Sequence, residues 1–220
     1  MSAALIVRRF GVCDYAPVLA AMQGFTQQRS ADTVDECWLL QHHPVFTQGL
    51  SGRAEHVLAP GDIPIIHTDR GGQVTYHGPG QLVVYCLFDL RRHDLGVREL
   101  VCRLERVVID WLEHYGIMAQ GNRQAPGVYT ASGAKLASLG LRVRRGCCYH
   151  GLSINIAMDL SPFQRINPCG FAGLPITQVS DLGGATTPTA AAEEVLPLLC
   201  QAFGYVDIQY IDQDESPCCL

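Results

Sequence analysis

Lysine is almost missing from this chain. Of its sixteen basic residues, fifteen are arginine and one, Lys135, is lysine. Basic charge as a whole is scarce: the net charge is −5, and no basic footprint of the kind a nucleic-acid binder needs is visible, so nucleic acid is excluded as a general partner. No uninterrupted apolar run approaches bilayer length, and the short run Ala3 to Val7 is followed, not preceded, by Arg8-Arg9, which is the wrong order for a secretory leader. CxxC spacing is missing although ten cysteines are present; Cys147-Cys148 and Cys218-Cys219 are adjacent pairs, which argues against a zinc or redox motif, and no metal is expected. Pro217-Cys218-Cys219-Leu220 has no cysteine fourth from the end, which excludes the usual prenylation signal. These absences predict a cytoplasmic protein with free thiols, off the membrane.

What is present is a globular composition, 48% hydrophobic and 17% charged. Residues 4 to 10 read as a strand, and Asp14 as the N-cap of a helix to about Arg29 in which Leu19, Met22 and Phe25 recur near helical spacing. Cys37 to Gln41 and Ile63 to His67 read as short strands, and Gln81 to Leu90, with Val83-Val84-Tyr85-Cys86-Leu87, as a central buried one. Val97 to Tyr115 places Leu100, Leu104, Val107, Val108 and Trp111 on one helical stripe. Val128 to Thr130, Lys135 to Arg144 and Cys148 to Ala157 read as strands, with a hairpin turn at Gly146. Thr187-Pro188 caps a helix to Phe203, where Pro197 predicts a kink or a later start, and Tyr205 to Tyr210 closes as a strand. No linker or repeat divides the chain, so residues 1–220 read as one α+β domain with a mixed sheet flanked by helices. No motif encodes an oligomeric state, and a monomer is the expectation.

The cysteine best placed to meet a substrate is Cys169, in Ile166-Asn167-Pro168-Cys169-Gly170-Phe171. Pro168 fixes its own φ and Gly170 carries no Cβ, so the chain can bend sharply and leave a thiol at the bend. A thiol attacks as thiolate, which needs a nearby cation or helix N-terminus. Lys135, in the small, apolar run Ser132-Gly133-Ala134-Lys135-Leu136-Ala137-Ser138, is the candidate cation. Unlike arginine, it can also lose and regain its proton when desolvated. The alternative is a structural cysteine and a surface lysine.

Four glycines lie in Arg70-Gly71-Gly72-Gln73-Val74-Thr75-Tyr76-His77-Gly78-Pro79-Gly80-Gln81, between two predicted strands. They let backbone approach a ligand, as one wall of an acyl or carboxylate pocket with Arg70 and His77 at its rim, or simply form a tight hairpin. The run has neither a Gly-Lys-Ser/Thr ending nor GxGxxG, so it is no phosphate loop. His77 and His150 are candidates for acid-base work or for hydrogen-bonded core positions. The surroundings of Cys169 carry no thiol-protease signature. Arg142 and Arg144 alternate on a predicted strand and share a face, either as a docking patch for an acidic partner or as a solvated surface.

Five ordered motifs resemble the lipoyl(octanoyl) transferase family over nearly the whole chain. They are His43-Pro44-Val45-Phe46-Thr47-Gln48-Gly49, Arg70 to Gln81, Gly133-Ala134-Lys135-Leu136-Ala137-Ser138-Leu139-Gly140, His150-Gly151-Leu152-Ser153-Ile154-Asn155 and Asn167-Pro168-Cys169-Gly170. The resemblance implies a fold related to the biotin and lipoate protein ligase catalytic domains. It also implies transfer of an octanoyl or lipoyl group from octanoyl-acyl carrier protein to a specific lysine of lipoyl domains, in 2-oxoacid dehydrogenases and in the glycine-cleavage H protein. Cys169 would carry the acyl group and Lys135 would set its protonation. Arg70, Gly71, Gly72, Gln73, Val74, Thr75, Tyr76 and His77, with Ser138, Leu139, Gly140, Gly151, Leu152 and Ser153, would line the acyl pocket. Exchange of one thioester for another is nearly isoenergetic, so no cofactor is expected. The family often has Thr-Ser downstream of the cysteine, where this chain has Thr177-Gln178, which leaves Thr177 without a role. The rivals are an ATP-dependent lipoate-protein ligase, which works through an adenylate and does not need Cys169, and a non-catalytic carrier-binding module.

Overall fold

The computed structural model describes residues 3–212; the Cys218-Cys219 pair lies outside them. In chain order the strands and helices are β1 (Ala3–Cys13), α1 (Tyr15–Gln28), β2 (Asp35–His42), β3 (Val45–Gln48), β4 (Ile65–His67), β5 (Val74–His77), β6 (Gln81–Leu87), α2 (Val97–Glu113), β7 (Ala119–Gly121), β8 (Gly127–Thr130), β9 (Lys135–Arg144), β10 (Cys147–Asn155), α3 (Pro188–Phe203) and β11 (Tyr205–Asp212). Eight strands form one sheet in the order β11-β1-β2-β6-β10-β9-β8-β7. β1 runs parallel to both β11 and β2, and every other pairing is antiparallel, which makes the sheet mixed.

Alternation along β6 shows why its sequence is apolar throughout. Val83, Tyr85 and Leu87 join the core beneath α1, while Leu82, Val84 and Cys86 join the larger core beneath α2 and α3. The expected stripe of α2 is buried as a set, with Leu100, Leu104, Val107, Val108 and Trp111 packed under the sheet. In α1 the buried face is Tyr15, Val18, Met22 and Thr26, offset from the expected Leu19 and Phe25, and Asp14 makes no side-chain cap.

Two other expectations need correction. The segment between β2 and β6 is not a loop with one strand but a second, three-stranded sheet in the order β4-β3-β5, with its own small core of Phe46, Val74, Tyr76, Met158, Phe163 and Ile166. Helix α3 does not start late: it runs from Pro188 to Phe203 through Pro197, with Thr187 capping the Ala190 N–H at 3.2 Å. Pro197 is on its exposed side, where water can bond the carbonyl that the missing N–H leaves free.

Candidate active site

Between the two sheets, on the α1 side of the larger one, lies a cleft. Cross-strand registry explains the opening. Gly140 of β9 stands directly opposite Gly151 of β10, so the sheet face carries no side chain there. Beside that bare patch runs Arg70, whose Cδ would lie 2.9 Å from a Cβ at residue 140. Of the residues expected to line a pocket, Arg70, Gly72, Gln73, Val74, Thr75, His77, Ser138, Leu139, Gly140, Gly151, Leu152 and Ser153 do line this cleft, together with Cys169. Gly71 and Tyr76 do not. The Gly71 N–H is spent on the Leu141 carbonyl at 2.9 Å, and the Tyr76 ring faces away, packed on Phe46 and Phe163.

The loop that carries Arg70 is held by Asp69. Tyr149 and His150 donate to its carboxylate, the latter at 3.0 Å, and Gln23 of α1 adds a third bond at 3.1 Å. Burial opposes ionisation of Asp69, but these donors outweigh it and hold the carboxyl far below the usual carboxylate range. Arg70 itself is buried, and its Nη atoms donate to the Thr47 carbonyl and hydroxyl at 2.7 and 2.8 Å and to the Gly71 carbonyl at 3.0 Å, none of them a carboxylate. Burial lowers its pKa, and its Nε has no partner.

Cys169 sits at the cleft on a single turn, Pro168–Gly170, with φ 57° and ψ 14°. A left-handed conformation at a non-glycine residue is strained by about 1 kcal/mol and persists only where its surroundings enforce it. The enforcement comes from both flanks. Upstream, Ile166 bridges Val57 and the Asn167 N–H bonds the His56 carbonyl at 2.8 Å. Downstream, the chain returns alongside Lys135: its N–H bonds the Pro175 carbonyl at 2.8 Å and its carbonyl accepts from the Thr177 N–H at 3.0 Å. Thr177 is thus a backbone strut between the cysteine loop and β9.

Lys135 is only 2% exposed, and its Nζ donates to Cys169 Sγ at 2.9 Å and to the Pro126 carbonyl at 3.1 Å. The ring of Tyr129 lies 5.2 Å from the ammonium. Gly127 makes this approach possible, since a Cβ there would stand 2.7 Å from Lys135 Cε. Behind it is a residue the sequence reading missed. Glu105, a carboxylate on the buried side of α2, accepts the Gly127 N–H at 2.9 Å and so fixes the peptide that holds the ammonium. Burial raises its pKa, while the Gly127 bond and the charge of Lys135 act in the opposite sense. The signal was an acidic residue interrupting the apolar stripe between Leu104 and Val108.

Tyr15, Val83 and Tyr85 also line the cleft and were not expected there, and His150, a candidate for acid-base work or a core position, lines it too. His77 bonds Gln81 Oε1 at 2.7 Å and stacks on Tyr15, and His42 bonds the Tyr85 hydroxyl at 2.7 Å. Burial pushes His42 down to about 4 and His77 well below the ordinary histidine range, so both are neutral imidazoles at neutral pH. Burial also lowers His150, against the pull of Asp69. The same physics keeps Cys148 and Cys200 as thiols: burial raises Cys148 to about 12 and Cys200 to about 11.

A turn-borne sulfur in contact with an amine, at the mouth of a cleft with a glycine-bared wall, is an arrangement suited to acyl-group chemistry. The architecture is shared with solved structures. It is similar to a bi-partite lipoate protein ligase from Thermoplasma acidophilum, with a TM-score of 0.74 over 97% of this chain and 89% of that one at 13% identity. It is also similar to biotin protein ligase from Aquifex aeolicus, with a TM-score of 0.57 over 90% and 69% at 12% identity. The chain belongs to the family of the lipoyl protein ligase A/B catalytic domain, whose pattern matches residues 14–204. Within it, the chain is 56% identical over 204 residues, 93% of its length and 91% of the relative's, to an octanoyltransferase of Hahella chejuensis.

Proposed function

We propose that the protein is an octanoyltransferase of protein lipoylation that works through a Cys169 thioester. The donor is octanoyl-acyl carrier protein and the acceptors are lysines of lipoyl domains, including those of 2-oxoacid dehydrogenases and the glycine-cleavage H protein. The observation that carries the reading is the 2.9 Å contact between Lys135 Nζ and Cys169 Sγ at a cleft built around Gly140 and Gly151. The ammonium is the counter-ion of the attacking thiolate. Sulfur attacks the thioester carbonyl, the carrier thiol leaves with a proton from Lys135, and the neutral amine then accepts a proton from the incoming lysine as that lysine attacks the Cys169 thioester. The buried guanidinium of Arg70 in the cleft wall supplies positive potential to the anionic intermediate.

Arg142 and Arg144 share the β9 face of Ser138 and Gly140, outward from the cleft, and serve as the docking patch for an acidic carrier. The protein acts as a monomer in the cytoplasm; among the described residues no helix is long and apolar enough to cross a membrane. Transfer from octanoyl-carrier protein to a lipoyl domain without ATP tests the reading. Activity that appears only with ATP and free octanoic acid would establish the ligase instead.

A further inference from the structure

The Cys169 turn has polar neighbours besides Lys135 that the transfer chemistry leaves unused. A Cβ at Gly170 would stand 3.4 Å from His56 Nε2 and 3.7 Å from Gln73 Nε2, so an imidazole and a carboxamide from two separate loops meet beside the reactive sulfur. Each carries an orphan: Gln73 Oε1 and His56 Nδ1 are buried and unpartnered. Neither loop is free to drift, because the His56 carbonyl accepts the Asn167 N–H at 2.8 Å and the Gln73 carbonyl accepts the Gly49 N–H at 3.4 Å. Gln73 lines the same cleft as Cys169. A buried carbonyl oxygen without a donor is costly, and because Gln73 is only half-buried in the cleft wall, a turn of its carboxamide presents Oε1 to a ligand donor.

We propose that Gln73, flanked by His56, is the recognition point for a secondary amide in the thiol half of the donor thioester, its N–H donating to Gln73 Oε1. The inference rests on the transferase reading and adds the ligand chemistry of the leaving side. A neutral N–H fits better than a cation, since Lys135 and the Arg70 guanidinium already make the neighbourhood of the sulfur positive. The apolar cleft interior suits a hydrocarbon chain, so the polar group belongs to the half that departs past the turn.

The test replaces one N–H by oxygen. S-octanoyl-N-acetylcysteamine and the octanoyl thioester of 2-mercaptoethyl acetate differ only there, and the rate of octanoyl mass gain on Cys169 is read for each at limiting concentration. The proposal expects the amide to be faster by about fivefold or more, the scale of one hydrogen bond, and expects that preference to collapse in Gln73→Leu and Gln73→Met. Equal rates within twofold on the native enzyme would overturn the amide subsite while leaving the Cys169 thioester standing. A preference that survives both substitutions would overturn the assignment to Gln73. If neither compound acylates Cys169 and neither does octanoyl-carrier protein, the transferase reading fails and takes the subsite with it.

Discussion

At the scale of single residues, the site is a chain of enforced contacts running from Glu105 through the Pro126-Gly127 peptide to Lys135 and then to Cys169. Lys135→Ala is expected to lower kcat for octanoyl transfer by about 10²-fold or more, the usual contribution of a positioned proton carrier, and Lys135→Arg is expected not to restore it because arginine does not release its proton. Gly127→Ala puts a methyl 2.6 Å from the Ala137 carbonyl oxygen and 2.7 Å from Lys135 Cε at a φ of 154°, so transfer and Tm should both fall; an unaffected rate in the folded variant would show that the ammonium position is not critical. Glu105→Gln keeps the shape and an acceptor for the Gly127 N–H but removes the charge, and is expected to lower activity less than Glu105→Ala. Cys169 and Lys135 were legible as types: a cysteine bracketed by proline and glycine, and a single lysine among arginines. Their contact was not legible, because it depends on a loop that leaves the Cys169 turn and returns beside β9 through backbone bonds, and backbone bonds leave little trace in residue types.

At the scale of elements, sequence pattern worked where one face of an element meets one core. The stripe of α2, the hairpin at Gly146 and the bounds of β9 all follow from periodicity and turn chemistry. It failed for β3 and β5, each four residues of mixed polarity whose polar side chains are buried rather than exposed to water. At Pro197 the later start does not occur, because burial outweighs propensity: Val195, Leu196, Leu199 and Cys200 hold α3 on the core around an exposed proline. Pro197→Ala is therefore expected to raise stability by about 1–3 kcal/mol, read as an increase in Tm with unchanged octanoyl transfer. A fall in Tm would mean that the proline shapes the helix in a way the packing does not reveal.

At the scale of the whole molecule, His42, His77 and His150 form a buried group of histidines beside the cleft, and that group sets the response to acid. His42 has its folded-state pKa depressed to about 4, and His77 and His150 are depressed as well. Above the ordinary histidine value of about 6.5 both folded and unfolded states are neutral at these positions, so nothing is lost. As pH falls below it, the unfolded chain takes up protons that the folded chain refuses, and stability drops through the window from about 6.5 towards 4. Asp69 and Asp35, both held below the carboxylate range by donors that outweigh their burial, contribute stability above their unfolded value that is lost at still lower pH. Tm is expected to fall steadily from pH 7 to pH 4.5, and His42→Gln to flatten the denaturant-measured slope in that window by on the order of 2 kcal/mol. A flat profile in the native protein would show that these histidines do not stay neutral on folding.

The account stands or falls on the bond to sulfur. Purified protein incubated with octanoyl-carrier protein, without ATP or acceptor, should gain the mass of one octanoyl group, mapped to Cys169 and released by hydroxylamine. Cys169→Ala should gain none. Transfer to a lipoyl domain by the Cys169→Ala protein, or an adduct mapped elsewhere, would contradict it.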